Sequence, residues 1–204
     1  MAVEGVDYSW ARPSPTCLYQ NGKRFVFRYL GDDDTGENLR PAERDQLHAA
    51  GLRIGLVWQT GKAFMIQGTE DEGLVDANIA KTQARELGQP TNLPIFFSLD
   101  VDPNVLTSTQ WAKCENYLEG VHTVLGVART GVYGGYRAIE RLVPTWAAWG
   151  WQTYAWSSFE VGGRMMVRWS DKAHLQQYRN DIQLCGGAVD LTRSVISNIG
   201  ALAW

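Results

Sequence analysis

The sequence predicts an α/β fold, a (β/α)8 TIM-like barrel with reduced or missing helices in its C-terminal third. Short apolar, strand-like runs alternate with longer amphipathic stretches, which is the pattern of a parallel fold built from β–α repeats. After Gly150 the stretches between strands become too short or too rich in glycine for full helices. The length of 204 residues lies at the low end for this fold, as expected if helices have been lost. We therefore expect one barrel domain over residues 1–204.

Eight strand-like runs supply the strands that such a barrel needs. Each is a short apolar run of the length typical of a strand. The predicted strands are Gly5–Tyr8, Phe25–Leu30, Arg53–Gln59, Ile95–Asp100, Thr130–Tyr133, Gln152–Trp156, Leu175–Tyr178 and Ala188–Leu191.

The amphipathic stretches between these strands predict helices. Two of the stretches end at a glycine, Gly51 or Gly88, which is a frequent residue just beyond a helix C-terminus. A third begins with a Thr/Ser pair that can cap its first turn. The predicted helices are Arg40–Ala50, Asp71–Leu87, Thr107–Val127 and the shorter Tyr136–Leu142, which precedes Pro144.

Composition narrows the class of protein and of partner. Hydrophobic residues make up 45% and charged residues 20%, which is ordinary for a soluble globular protein. A net charge of −3 argues against nucleic acid or an anionic membrane as an electrostatic partner. No apolar segment is long enough to span a bilayer. The three histidines stand outside any zinc motif and no phosphate-binding loop is present, so we expect neither a metal nor a cofactor.

The cysteines and the N-terminus bear on the compartment. Cys17, Cys114 and Cys185 allow at most one internal disulfide and have no CxxC spacing, and we interpret them as buried free thiols. The chain runs from Met1 almost directly into the first strand without a basic or apolar leader, so we expect no secretion signal.

An acidic pair follows the fourth predicted strand. The apolar run Ile95–Leu99 is followed by Asp100-Val101-Asp102-Pro103. A strand alternates its side chains, so we expect Asp100 and Asp102 to point to the same side, about 6.5–7 Å apart along the backbone. Two such carboxylates at the end of a buried strand cost desolvation and mutual repulsion, which favours a role in chemistry or ligand binding.

The other strand ends carry further polar and aromatic groups, and catalytic groups of such barrels lie at these ends. Asp7 and Asp190 bring the number of carboxylates to four. The chain is also rich in tryptophan and tyrosine, whose rings are suitable platforms for sugars. Glycoside hydrolysis needs an acid, a second carboxylate and aromatic walls. The predicted substrate-binding residues are Tyr8, Arg28, Tyr29, Trp58, Gln59, Tyr133, Tyr136, Gln152, Tyr154, Trp156, Gln177 and Tyr178.

Several segments of the chain, most of them at strand ends, are similar to those of a known family. The chain resembles the glycoside-hydrolase-like family catalogued as domain of unknown function 1906, which is related to the family-25 glycoside hydrolases, the lysozyme-type muramidases. The resemblance spans nearly the whole chain in order and is carried by Gly5-Val6-Asp7-Tyr8-Ser9, Phe27-Arg28-Tyr29-Leu30, Pro94–Asp102, Gly131–Tyr136, Trp151–Ser157 and Val189-Asp190-Leu191.

The resemblance implies roles for the four aspartates. Asp102 would protonate the glycosidic oxygen, and Asp100 would position the acetamido group of the substrate or stabilise positive charge at the anomeric carbon. Asp7 and Asp190 would orient these two residues, with Tyr133 or Tyr154 donating hydrogen bonds at the reacting sugar. The implied substrate is an N-acetylated bacterial polysaccharide, peptidoglycan above all, cleaved with retention and with assistance from the acetamido group.

One position departs from the muramidase pattern and leaves alternatives open. The muramidases carry glutamate where this chain has Asp102, and a displacement of about 1 Å can cost on the order of 10²-fold in rate. The strands could sit closer, or the activity could be weak, altered or absent. A carbohydrate- or wall-binding module is therefore the second hypothesis, and a scaffold in a phage or other larger assembly is the third.

The expected location follows from the same reasoning. We expect synthesis in the cytoplasm and action at the cell wall, by release or as part of a phage or secreted assembly.

A calcium loop starting Asp100-x-Asp102-x-Asn104 has little support, because the position that needs glycine is Val105.

Overall fold

The computed structural model describes residues 2–32, 36–61 and 64–204, and in them eight strands close into a barrel. Around the barrel the strand order is β1-β10-β9-β6-β5-β4-β3-β2, and β7 and β8 form a separate hairpin. The strands are β1 Val3–Asp7, β2 Phe25–Leu30, β3 Arg53–Trp58, β4 Ile95–Ser98, β5 Thr130–Gly134, β6 Trp149–Thr153, β7 Ser158–Val161, β8 Arg164–Val167, β9 Leu175–Leu184 and β10 Gly187–Ser194. The predicted TIM-like barrel is thus confirmed.

The last barrel strand runs against the predicted direction. β10 pairs antiparallel with both β9 and β1, whereas the other neighbouring strands pair in parallel. The reason is the two-residue turn Cys185-Gly186, in which both residues have positive φ, 56° and 89°. Such a tight turn joins antiparallel strands only, because a parallel pair needs a long crossover. The expectation of a wholly parallel barrel was wrong at this strand.

The segment after β6 also differs from the prediction. The sixth strand ends at Thr153 rather than continuing to Trp156, and residues 154–157 form bends and a turn. The hairpin β7–β8 follows, closed by Gly162-Gly163 with φ of 57° and 76°. Its residues are mostly exposed on both faces, so no alternation of buried and exposed positions marks it in the sequence.

The helices surround the first two-thirds of the barrel. They are α1 Pro15–Gln20, α2 Pro41–Ala49, α3 Phe64–Gln67, α4 Glu70–Glu86, α5 Ser108–Leu125 and α6 Tyr136–Leu142. The four predicted helices are all present, whereas the short α1 and α3 were not predicted. Reciprocal side-chain caps start the two long helices, Thr69 with Glu72 and Thr107 with Gln110. After Gly150 the described residues contain no α-helix, as the sequence predicted.

Large aromatic side chains fill the lower half of the barrel interior. A Cβ on Gly5 would lie 2.4 Å from the ring of Phe25, and one on Gly55 would lie 2.4 Å from that of Phe27, so each glycine makes room for a ring on the neighbouring strand β2. The C-terminus closes the lower end, where Trp204 exchanges two backbone hydrogen bonds with Ile54. The lower half of the barrel interior is therefore a packed core. The upper end, where the parallel strands have their carboxyl ends, is where barrels of this kind carry their sites.

The bonding of two of the three cysteines differs from the expectation that all are free thiols. Cys17 and Cys185 form a disulfide with a Cα–Cα distance of 5.6 Å, so the interpretation as free thiols was wrong for these two. They lie 168 residues apart in the chain and meet because α1 packs at the β9–β10 turn, a contact that spacing cannot indicate. Cys114 is a buried free thiol. None of the helices in the described part of the chain has the length and apolar character needed to cross a bilayer.

Candidate functional site

A hydrogen-bonded cluster of polar side chains lies at the upper end of the barrel. Asp7, the last residue of β1, is almost fully buried. Gln177 on β9 donates from Nε2 to Asp7 Oδ2 at 2.9 Å and to Asp190 Oδ2 at 3.1 Å. Tyr133 on β5 donates from its hydroxyl to Gln177 Oε1 at 2.9 Å. One amide thus connects two carboxylates and a phenol that are far apart in sequence.

Asp190 reaches this cluster because β10 is antiparallel. It lies opposite Asp7 in the β1–β10 pair, and β10 continues beyond it to Ser194, so it is not at a strand end as predicted. A β-bulge interrupts the β9–β10 pairing here, and Asp181, at φ 57°, donates its backbone N–H to Asp190 Oδ1 at 2.9 Å. Bulges of this kind re-aim a side chain next to a site.

Both carboxyls of this pair hold protons more tightly than ordinary aspartates. Burial raises the pKa of Asp7 well above its usual value, and the charge of Asp190 raises it further. Hydrogen bonds from Thr192, at 3.0 Å, and from Gln177 oppose this pKa shift. Burial is also the main cause that raises the pKa of Asp190 to about 6. The pair therefore retains a proton under mildly acidic conditions.

Asp100 faces the same cluster from the loop after β4. It is half-buried, and the indole Nε1 of Trp156 donates to its Oδ1 at 3.3 Å. Its charge contributes to raising the pKa of Tyr29, Tyr133 and Asp190, although burial is the first cause in each case. The two phenols consequently remain neutral donors beside the carboxylates.

Asp102 lies two residues farther along this loop and is also half-buried. Its Oδ1 accepts the backbone N–H of Asn104 at 2.9 Å and the side-chain Nδ2 at 2.8 Å. Because β4 ends at Ser98, Asp100 and Asp102 belong to a loop, and the assumption that a continuing strand aligns them was wrong. The structure brings Asp7, Asp100 and Asp190 together, with Asp102 next to them in the chain.

Several predicted binding residues have partners outside this cluster. Arg28 pairs with Glu43 of α2 at 2.8 Å, and its guanidinium lies 4.4 Å from the ring centre of Tyr8, whose hydroxyl also donates to Glu43. Trp58 is fully buried in the core beneath the helices. These three side chains support the layer between barrel and helices.

Two further predicted binding residues, Gln152 and Tyr178, also have partners outside the cluster. The Gln152 amide donates to Ser157 Oγ at 2.8 Å and accepts from the Ser170 N–H at 2.8 Å, so it fixes the segment that follows β6. Tyr178 donates its hydroxyl to Glu4 Oε2 at 2.6 Å. Gln59 and Tyr154 are partly buried, and the Tyr154 backbone N–H donates to the carbonyl of Gln177 at 2.9 Å.

Tyr136 and Trp156 line a cavity of about 640 Å³ beside the cluster, a volume within the range of ligand sites. Sequence reasoning did not identify its two arginines, Arg137 and Arg168, because no motif precedes them. It also missed Thr192, although strand alternation from Asp190 places Thr192 on the same face. The cavity is lined by Asn104, Tyr136, Arg137, Trp156, Ser157, Ser158, Phe159 and Arg168.

The described residues contain no group of three or more His, Cys, Asp or Glu arranged to hold a metal ion. In the loop that superficially resembles the start of a calcium site, Asn104 donates its hydrogens to Asp102. The loop is therefore closed by its own hydrogen bonds.

The chain is similar in sequence to a described family of glycoside hydrolase-like domains. The family model for Rv2525c-like, glycoside hydrolase-like domains matches residues 16–195. A candidate peptidoglycan hydrolase of Mycobacterium tuberculosis, Rv2525c, is 27% identical over 175 residues, covering 82% of this chain and 68% of that protein.

Solved structures agree with this similarity in fold. The crystal structure of the Tat-secreted Rv2525c with L-tartrate superposes with a TM-score of 0.83 at 24% identity, covering 98% of both chains. A family 25 glycosyl hydrolase from Bacillus anthracis superposes with a TM-score of 0.59 at 12% identity, covering 96% of this chain and 90% of that one.

Proposed function

Because the chain belongs to the family of Rv2525c-like, glycoside hydrolase-like domains, we propose that it hydrolyses glycosidic bonds in peptidoglycan. The family carries a glycoside hydrolase-like function at the cell wall, and the cleavage of this substrate by this chain is our proposal. The observation that supports it best is the cluster of Asp7, Gln177, Asp190 and Tyr133, which Asp100 faces at the upper end of the barrel.

The proposed acid is Asp102, and its partner is Asp100. Asp102 gives its proton to the glycosidic oxygen while the carbonyl oxygen of the substrate's acetamido group attacks the anomeric carbon. The bond to the leaving sugar breaks, and an oxazoline-like ring forms on the sugar that remains. Asp100 accepts the acetamido N–H and stabilises the positive charge of that ring. Water then opens the ring after Asp102 removes its proton, so the anomeric configuration is retained.

The buried cluster supports this chemistry through charge. Asp7 is too deeply buried to touch a sugar, so we assign it a positioning role together with Gln177. With Asp7 and Asp190 holding protons tightly, the carboxylate of Asp100 is the group of the cluster best suited to face a developing cation. Tyr29 remains a neutral hydrogen-bond donor, whereas the hydroxyl hydrogen of Tyr133 is donated to Gln177.

The test is the release of reducing ends from purified peptidoglycan by the wild type, Asp102→Asn and Asp100→Asn. Loss of a general acid typically costs 10²- to 10⁴-fold, and we expect a loss of about that size for Asp102→Asn. Asp171→Asn, at an exposed position, is the matched control and should retain the wild-type rate. Proton NMR of the first product should show the retained anomer, and an inverted one would contradict the assisted mechanism.

A second function, wall binding without cleavage, is favoured by one observation. Asp102 has one carboxylate oxygen engaged by Asn104 and is one methylene shorter than glutamate, which limits its reach toward a substrate. Under this alternative the wild type and Asp102→Asn sediment equally with insoluble peptidoglycan, and neither releases reducing ends. That joint result would overturn the hydrolase proposal.

We further propose that the protein acts outside the cytoplasm. The Cys17–Cys185 disulfide supports this location, because such bonds persist in oxidising compartments. The similarity to a Tat-secreted protein supports it as well. Fractionation of the producing cells should recover the oxidised protein outside the cytoplasm, and a wholly cytoplasmic, reduced pool would contradict it.

A further inference from the structure

The cavity beside the carboxylate cluster has a charge opposite to that of the cluster. Among its lining residues are two arginines, Arg137 and Arg168, and no aspartate or glutamate. Such a local cationic wall attracts and orients anionic ligands.

The two arginines are held in place by contacts with uncharged groups, and Arg168 also lies close enough to Glu140 for its charge to help lower the pKa of that carboxyl. The guanidinium of Arg168 lies 4.4 Å from the ring centre of Tyr136, and its backbone N–H donates to the Ser157 carbonyl at 3.0 Å. Arg137 donates from Nη1 to the carbonyl of Asn104 at 3.1 Å. Across residues 2–32, 36–61 and 64–204, neither guanidinium forms an ion pair with a carboxylate.

Aromatic rings form the other walls of the cavity. Trp156 is fixed by its hydrogen bond to Asp100, so the orientation of its indole is tied to the carboxylate cluster. Phe159, 42% exposed, projects from β7 of the outlying hairpin, and Tyr136 lies under Arg168. Aromatic faces pack against the C–H faces of sugar rings, while guanidinium groups bind carboxylates with two parallel hydrogen bonds.

The cavity also adjoins both proposed reacting groups. Trp156 donates to Asp100 and Asn104 donates to Asp102, and both donors line the cavity. An anionic glycan that approached these aspartates would otherwise be repelled by them. Cations on one side only would offset that repulsion and fix which end of the glycan enters the cavity.

We propose that this cavity binds a sugar unit bearing a carboxylate, with Arg168 and Arg137 holding the carboxylate and Trp156 packing against the sugar ring. The sugar's membership of the cleaved substrate rests on the proposed function, whereas its binding does not require cleavage. The ligand class is an N-acetylated sugar with an acidic substituent.

The experiment compares two sugars that differ in the acidic group. N-acetylmuramic acid and N-acetylglucosamine are titrated into the full-length protein, and binding is followed by NMR chemical shifts of the indole N–H groups. We expect the acidic sugar to bind at least about 10-fold more tightly to the wild type, as a charge-assisted hydrogen-bonded contact requires. Arg168→Gln and Arg137→Gln should each remove most of this preference and leave the binding of the neutral sugar unchanged.

Two further variants make the result decisive. Arg164→Gln removes an exposed arginine from β8 that does not line the cavity, and it should retain the preference. Arg168→Lys keeps the charge without the planar guanidinium and should retain part of the preference, which excludes a folding defect as the cause of loss. Equal affinity of the wild type for both sugars, or equal loss of both sugars in the glutamine variants, would overturn the proposal.

The outcome is separable from that of the proposed function. Preferential binding of the acidic sugar without release of reducing ends would support the cavity and contradict the hydrolase. Cleavage of peptidoglycan without any preference for the acidic sugar would support the hydrolase and contradict the proposed cavity.

Discussion

Gln177 sets the hydrogen-bond directions of the whole candidate site. A primary amide has a donor end and an acceptor end, and here the donor end serves Asp7 and Asp190 while the acceptor end serves Tyr133. The reverse orientation would aim the amide oxygen at both carboxyls, and only a protonated carboxyl could donate to it. An apolar replacement would leave Asp7, which is 1% exposed, without one of its donors, and unsatisfied buried groups cost about 1–3 kcal/mol.

The raised pKa of Asp190 predicts a pH dependence of stability. Its folded pKa, about 6, exceeds its ordinary value of 3.8, so the folded state binds the proton more tightly than the unfolded state does. This contribution to stability is fully present below about pH 4 and is lost as the pH rises to 6. Asp7 adds a contribution of the same sign, because its pKa is also raised. The free energy of unfolding of the wild type should therefore fall between pH 4.5 and 6.5. Asp190→Asn should make this fall smaller.

Urea unfolding at several pH values measures this effect. Asp171→Asn removes an exposed carboxylate and serves as the control, which should follow the wild-type pH profile. A steeper profile for Asp190→Asn than for the wild type would show that the folded state favours the ionised form of Asp190, contrary to the expectation.

At the scale of elements, α4 and α5 approach each other closely at two glycines. A Cβ on Gly73 would lie 1.9 Å from the Tyr117 carbonyl oxygen, and one on Gly120 would lie 1.9 Å from that of Glu70. The two glycines therefore let the helix backbones touch. The contact is completed by the Tyr117 hydroxyl, which donates to Asp76 at 2.7 Å.

Alanine at either glycine should destabilise the fold. The gain in helix propensity is about 1 kcal/mol, but the new methyl meets a backbone carbonyl, so the helices must separate. Overpacking costs typically about 1–3 kcal/mol, and contact with rigid backbone places Gly73→Ala and Gly120→Ala toward the upper end. Thermal or urea unfolding measures the loss. Gly61→Ala, where a Cβ would meet no atom of the described residues within 4 Å, should change stability little; an equal loss there would refute this explanation.

Sequence patterns predicted which segments form strands and helices better than they predicted the direction in which each strand runs. The strand β2 and the helix α6 have the predicted boundaries, because apolar runs and helix termination signals are local. The direction of β10 depends on a turn of two residues, Cys185 and Gly186, whose left-handed conformation an apolar pattern does not indicate. The exposed β7–β8 hairpin buries neither face and so has no hydrophobic period to detect.

For the candidate site, the sequence likewise predicted which residues lie at the rim better than the direction in which each side chain points. Asp7 and Gln177 were predicted because parallel strands place their carboxyl ends at one rim. The face on which each side chain lies was harder to predict. Arg28 is next to Phe27 on one strand, yet Phe27 packs inside the barrel while Arg28 pairs with Glu43 of α2. Alternation separates such neighbours, and only the register of the closed barrel decides which of them faces the axis.

At the scale of the whole molecule, the two ends of the chain close the structure by different means. The C-terminal residues Leu202 and Ala203 are buried against the aromatic core of the barrel, and Trp204 pairs with Ile54. At the upper end the Cys17–Cys185 disulfide joins α1 to the β9–β10 turn, next to a backbone hydrogen bond from Ser14 to Cys185 of 2.9 Å. The hairpin that carries Gln177 and Asp190 is thus fastened to the start of the chain.

The disulfide should stabilise the fold by restricting the unfolded chain. It closes a loop with a sequence separation of 168, and loss of a native disulfide typically costs about 2–5 kcal/mol. In guanidinium unfolding, Cys17→Ser should lower the midpoint, and dithiothreitol should lower the wild type to the same value without affecting the variant. A thiol reagent should find no reactive group in the native wild type and one, Cys185, in the variant. Cys114 stays unreactive because burial raises its pKa to about 12. If the native wild type showed two reactive thiols, or if dithiothreitol left its midpoint unchanged, the disulfide would not be a stabilising element of this fold.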